Sequence, residues 1–185
     1  MTESLNRTIF LTGFMGSGKT MIGRQLAQML HRSFYDLDEI ICAAHNMTVK
    51  EIFEKFGEPF FRLTETQELR ALVNQEILSV VALGGGAYCS EQNQSLLKNN
   101  GIVLFLDVKT NLLIQRLMKN TKRPLLLNSD GSMKTEVEVA AIIEDMMEKR
   151  QNWYLNADVH VYIDKAMDKD EVSSFVYQEL KKKLT

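Results

Sequence analysis

The segment Gly13-Phe14-Met15-Gly16-Ser17-Gly18-Lys19-Thr20 constrains this chain more than any other, because it fits G-x-x-x-x-G-K-[ST] at every fixed position. Before it runs Thr8-Ile9-Phe10-Leu11-Thr12, an apolar stretch that reads as a buried strand. After it Ile22, Leu26, Met29 and Leu30 fall on one face of a helix. Strand, glycine loop and helix in that order form an anion cradle. Glycines let the backbone wrap closely, and several N–H groups and the helix dipole then point at one spot. Lys19 supplies a point charge for the β and γ phosphates of a nucleotide, and Thr20 a hydroxyl for Mg²⁺. The motif implies nucleotide binding but does not choose between a kinase, a GTPase and a motor.

The rest of the chain repeats the strand–helix alternation. Further strands are predicted at Ser33 to Leu37, Val80 to Leu83, Ile102 to Leu106 and Val159 to Ile163. Helical patterns run through Ile41, Val49, Ile52 and Phe53, and from Glu65 to Leu78, with more helices at about 90–99, 110–119, 135–153 and 168–183. Near-continuous hydrophobic strands alternating with helices imply an α/β fold, a parallel sheet covered on both faces. Lys119 to Lys134 breaks the rhythm with polar, turn-forming residues, and a loop of that length in a compact domain is usually functional or mobile.

At 185 residues the chain is expected to be one domain, 1–185. Its 22 basic and 24 acidic residues give a net charge of −2, which excludes a generally basic nucleic-acid binder but not a local basic pocket. No stretch approaches the ~18 apolar residues of a membrane span. Met1 to Arg7 lacks the apolar core of a signal peptide. A cytoplasmic protein with Cys42 and Cys89 as free thiols is therefore expected. His31, His45 and His160 show no ligand spacing.

Several residues have two readings. Asp36 and Asp38 lie at the carboxyl end of the second strand, where ligands of open α/β sheets sit. They can hold Mg²⁺ or orient a hydroxyl, or simply cap a helix. Gly84-Gly85-Gly86 ends the third strand and suits either close backbone approach to a ligand or a plain turn. Arg62, beside Phe60 and Phe61, fits anion recognition or a surface ion pair. Arg116 and Arg123 flank the long polar segment and could neutralise phosphate charge or be solvated. Arg150 and Tyr154 share a helical face with the same ambiguity.

In combination these residues resemble the shikimate kinases. The resemblance rests on Gly13 to Thr20 with Gly23, Asp36-Leu37-Asp38, Phe61-Arg62 with Glu65, the triple glycine, Arg123-Pro124-Leu125-Leu126, and Arg150 with Tyr154. It implies a five-stranded parallel sheet in order 2-3-1-4-5, in the nucleoside-monophosphate-kinase-like group of P-loop folds. It implies transfer of the γ-phosphate of ATP to the 3-hydroxyl of shikimate, with Mg²⁺. Asp38 would then be the base, acting with Lys19 and Arg123 as catalytic residues. Gly13, Gly16, Ser17, Gly18, Lys19, Thr20, Met21, Arg116 and Arg123 would bind ATP. Arg62 and Arg150 would clamp the shikimate carboxylate. Gly84, Gly85 and Gly86 would offer backbone groups, and Phe53 and Phe61 would wall the pocket. Thr20, and Asp36 through water, would hold the metal.

The resemblance also implies a substrate-binding segment at about 37–65, a lid at about 115–135 and a monomer without nucleic-acid or membrane partners. With five basic residues, Lys19, Arg62, Arg116, Arg123 and Arg150, assigned to one pocket, the site should be locally positive. Two other readings stand beside this one: a kinase of another small hydroxy acid such as gluconate, and a nucleotide-binding regulatory module without catalysis.

Overall fold

A computed structural model describes residues 6–119 and 124–184. Five strands, β1 (Thr8–Thr12), β2 (Ser33–Asp36), β3 (Ser79–Ala82), β4 (Gly101–Val108) and β5 (Val159–Ile163), form one sheet. Every pairing is parallel and the order is β2-β3-β1-β4-β5, as the resemblance implies. The helices are α1 (Lys19–Leu30), α2 (Leu37–His45), α3 (Val49–Val73), α4 (Glu91–Asn100), α5 (Thr110–Met118), α6 (Glu136–Tyr154) and α7 (Lys169–Leu184).

Alternation along the strands divides the core in two. Ile9, Leu11, Leu104 and Leu106 face Ile22 and Leu26 of α1 and Val176 and Leu180 of α7. Phe10, Val81, Val103 and Phe105 face Leu37, Ile41, Phe61, Leu69 and Tyr154. Both faces are covered, which explains why the strands read as unbroken apolar runs. Each large side chain buried this way contributes about 1.5–3 kcal/mol by transfer from water.

Three local expectations need correction. The helix predicted from Glu65 to Leu78 is the end of α3, and it stops at Val73. Its start was hidden by Gly57, which adopts φ 79° and breaks α3 into two helical stretches. Pro59 stands two residues on, in the first turn after the break, where a missing N–H costs nothing. Ile77 and Leu78 are not helical but belong to the approach to β3, and both are exposed. Met29, assigned to the inner face of α1, is also exposed, because Gly23 and Ala27 take that face.

The described half of the long polar segment is a tight structure. Pro124–Leu126 make a short 3-10 turn, and Leu127 bridges Met133. Asn128 N donates to Ser132 O at 2.8 Å, and Ser132 N to Asp130 Oδ1 at 2.9 Å. Leu126 is fully buried, which anchors the hairpin to the core.

Gly23 marks the closest approach of α1 to the sheet. A Cβ there would lie 2.6 Å from Phe34 Cε2 and 2.9 Å from Leu11 Cδ1. Helix propensity alone makes Gly→Ala stabilising by about 1 kcal/mol. Overpacking opposes it and should win, so Gly23→Ala is expected to destabilise the protein by about 1–3 kcal/mol. Urea unfolding checks the sign, and a raised midpoint would show that the interface has room.

Candidate functional site

The site lies beyond the carboxyl ends of β1, β2 and β3, the crevice that this topology opens to ligands. Its floor is the loop from Gly13 to Thr20. Gly13, Gly16 and Gly18 adopt φ of 146°, 82° and 96°, conformations that other residues enter only at a cost. A Cβ at Gly13 would also lie 2.9 Å from Leu106 O. The bond from Ile22 N to Gly18 O opens the intrahelical ladder of α1, so the N–H groups before Ile22 lie outside that ladder and point into the loop. The Met21 side chain turns away, with its sulfur 4.0 Å from Ser173 Oγ on α7. Lys19 Nζ donates to Gly13 O (2.8 Å) and Phe14 O (3.1 Å), which fixes it across the loop. Ser17 Oγ is buried with no hydrogen-bond partner among the described residues.

Asp36 caps a helix and also meets the glycine loop. Oδ1 accepts from Asp38 N (3.1 Å) and Glu39 N (3.4 Å), capping α2. Oδ2 accepts from Thr20 Oγ1 at 2.6 Å. One carboxylate thus ties the start of α2 to the end of the glycine loop. The hard oxygens of Thr20 and Asp36, beside an unpaired serine hydroxyl and a dense set of N–H groups, fit Mg²⁺ and a polyphosphate. Arg116 lies behind the loop, where Nη1 donates to Gly16 O (3.3 Å) and Ser17 O (3.4 Å), and burial lowers its pKa. Arg123 lies outside the described residues.

The second half of the site is built on the triple glycine, and each glycine faces a different charged group. A Cβ at Gly84 would lie 2.5 Å from Glu65 Oε1 and 2.8 Å from Asp38 Oδ1. At Gly85 it would lie 3.8 Å from both Arg150 Nη1 and Met15 N of the glycine loop. At Gly86 it would lie 2.8 Å from the Arg62 guanidinium. The segment thus sets bare backbone against charged side chains. It brings together Asp38 from α2, Arg62 from α3 and Arg150 from α6.

Arg62 is in an ion pair as well as in the site. Nη1 meets Glu65 Oε2 at 2.8 Å, and Nη2 meets Glu58 Oε1 at 3.0 Å. Burial pulls its pKa down, but the two glutamates outweigh that and hold it above the usual value. Glu65 is 1% exposed, and Oε1 has no hydrogen-bond partner among the described residues. Burial pushes its carboxyl up, against the pull of Arg62. The site is thus not the simple positive patch expected from its basic residues, since Glu58 and Glu65 offset Arg62.

A cavity of about 560 Å³ opens here, lined by Arg62, Glu65, Gly86, Cys89 and Arg150 among others. Phe53 and Phe61 do not line it. Phe61 is 3% exposed, meets Phe53 in a tilted ring contact at 4.7 Å and carries Arg62 over its ring at 5.4 Å. Burial raises the Cys89 thiol, with Arg150 and Arg62 opposing, and it also raises Cys42.

Two functional neighbours were hard to read from sequence. The burial of Glu65 was signalled only by its i,i+3 spacing from Arg62. The contact of Tyr154 with the glycine strip was signalled only by its i,i+4 spacing from Arg150. Its hydroxyl donates to Gly85 O at 2.6 Å.

A five-stranded parallel sheet with a phosphate-type glycine loop, facing a cluster of carboxylates and arginines, defines a P-loop nucleotide-binding protein with a second ligand pocket. A family model described as shikimate kinase matches residues 15–181. The shikimate kinase of Sulfurihydrogenibium sp. (strain YO3AOP1) is 40% identical over 159 residues, which cover 86% of this chain and 89% of the relative. The crystal structure of shikimate kinase from Bacteroides thetaiotaomicron superposes with a TM-score of 0.85 at 33% identity, covering 95% of this chain and 97% of that one. Shikimate kinase from Acinetobacter baumannii in complex with shikimate gives 0.80 at 32% identity, covering 95% and 93%. The chain belongs to the shikimate kinase family.

The double use of Asp36 predicts two different substitution effects. Asp36→Ala removes the α2 cap and should cost about 1–2 kcal/mol. Asp36→Asn keeps an accepting oxygen for the cap and should cost less than half of that. Chemical unfolding of both variants measures the difference, and equal losses would remove the capping role.

Proposed function

We propose that this chain transfers the γ-phosphoryl group of ATP to the 3-hydroxyl of shikimate, giving shikimate 3-phosphate and ADP. The observation that carries this reading is the convergence of Asp38, Arg62 and Arg150 on Gly84 to Gly86, with Gly85 in turn beside Met15 of the nucleotide loop. A ligand with a carboxylate at one end and hydroxyls at the other fits such a site. Arg62 and Arg150 suit the carboxylate, and Asp38 suits the hydroxyls.

Phosphoryl transfer asks the protein mainly for positioning and charge neutralisation. Asp38 accepts the proton of the attacking hydroxyl as its oxygen bonds to the γ-phosphorus and the bond to the β-phosphate oxygen breaks. Lys19 and the N–H groups at the start of α1 stabilise the charge on the phosphates. Arg123 is assigned to the same task on the sequence resemblance. Arg116 supports the loop through its carbonyls. Thr20 would hold Mg²⁺ directly and Asp36 through water. When bound, the metal would orient the phosphates and neutralise part of their charge. The segment at about 37–65 would bind substrate and that at about 115–135 would act as a lid. No helix among the described residues is long and apolar enough to cross a membrane. The reading places the enzyme in the cytoplasm. A monomer completes the reading.

ADP release in a coupled assay tests the assignment with shikimate, gluconate and a nucleoside monophosphate as acceptors. Turnover with shikimate and none with the others is expected, whereas turnover with gluconate alone would overturn the substrate. Asp38→Asn should lower kcat by about two to four orders of magnitude with nucleotide affinity kept. Near-normal turnover would take Asp38 out of the base role. Arg62→Ala should raise the KM for shikimate far more than that for ATP, and equal effects would contradict the clamp.

A further inference from the structure

The carbonyl of Gly85 accepts two hydrogen bonds from the same helix. Tyr154 Oη donates to it at 2.6 Å and Arg150 Nη1 at 3.3 Å. The donors are one turn apart on α6, so both reach one oxygen, and its two lone pairs suffice for both. The bonds are unequal. The tyrosine bond is short, and the arginine bond is at the long end of the useful range.

Tyr154 is held firmly in place. It is fully buried, with its ring stacked on Phe105 at 5.0 Å and an interplanar angle of 19°. Burial pushes its phenol far above the ordinary value, so the hydroxyl remains a donor at any working pH. The helix end around it is fastened by a second set of bonds. Gln94 Nε2 donates to Tyr88 O (3.2 Å) and Trp153 O (3.1 Å). Asn156 Nδ2 donates to Gln94 Oε1 (3.2 Å), and Tyr88 Oη donates to Asn156 O (2.9 Å). The last turn of α6 and the segment after the triple glycine thus form one hydrogen-bonded block. Arg150 projects from that block into the cavity.

We propose that Tyr154 is a positioning residue for carboxylate recognition: its hydroxyl holds the Gly85 carbonyl so that Arg150 can leave that oxygen for the substrate carboxylate. The inference rests on the reading of Arg150 as a carboxylate-binding residue. A guanidinium binds a carboxylate best with two parallel N–H bonds, and turning its fork toward a ligand in the cavity competes with the long bond that Nη1 now gives Gly85. While Tyr154 stays, the carbonyl remains satisfied when Arg150 turns away. Without the hydroxyl, Arg150 becomes its only donor, and moving Arg150 would strand a partly buried acceptor.

Tyr154→Phe keeps the stacked ring and removes only the donor. It should raise the KM for shikimate roughly tenfold, about 1.4 kcal/mol, while kcat and the KM for ATP stay within about twofold. Thermal unfolding of the variant verifies that it is folded. The decisive comparison is a double-mutant cycle with Arg150→Ala. Adding Tyr154→Phe to Arg150→Ala should change the shikimate KM by less than about twofold, because no arginine is left to release. A full tenfold effect in that background, or an equal rise in the ATP KM, would show a merely structural tyrosine and overturn the proposal. If Arg150→Ala alone leaves the shikimate KM unchanged, the carboxylate reading of Arg150 fails, and the proposal fails with it. If Arg150→Ala raises the KM and Tyr154→Phe does not, only the positioning role fails.

Discussion

Three consecutive residues without a Cβ decide what this site can hold. The end of β3 lies within reach of α2, α3 and α6, and each sends a charged side chain toward it. Any side chain at Gly84 would collide with Glu65 and Asp38, and any at Gly86 with Arg62. Asp38 on one side and Arg62 and Arg150 on the other are therefore spaced by a strip of bare backbone. The same strip reaches the glycine loop at Met15, so the loop and the charge cluster share a wall.

That closeness has an electrostatic consequence. Glu65 is a buried carboxylate, and a buried charge is tolerable only with a partner. Arg62 is that partner, and the bond between them also fixes where the guanidinium points. Losing one member of such a pair typically costs about 3–5 kcal/mol because the other is stranded. The Asp36 carboxylate follows the same economy of groups on the nucleotide side. One oxygen closes the N-terminus of α2, and the other receives the Thr20 hydroxyl. Structural and functional readings of an aspartate need not compete, because a carboxylate has two oxygens.

Much of this was legible in the sequence, for physical reasons. Buried parallel strands produce apolar runs that stand out, and all five were located within one or two residues. The glycine loop was legible because a phosphate cradle tolerates few residue types. The sheet order came from the family resemblance and not from periodicity, which says nothing about lateral neighbours. The end of α3 was misread because Ile77 and Leu78 continue an apolar pattern that the chain itself leaves at Val73. Met29 was misread because small residues, Gly23 and Ala27, form the contact face, and hydrophobicity scales under-rate them. The buried Glu65 and the Tyr154–Gly85 bond depend on tertiary approach, which spacing can suggest but not establish.

Bare backbone at Gly84 to Gly86 sets the positions of Asp38, Arg62 and Arg150. Calorimetric titration of Gly86→Ala with shikimate and, separately, with ATP tests it most directly. The added methyl group would meet the Arg62 guanidinium at 2.8 Å and must displace it. Shikimate binding should weaken by about tenfold or more, with ATP binding unchanged. Unchanged shikimate affinity, or equal losses for both ligands, would contradict the account.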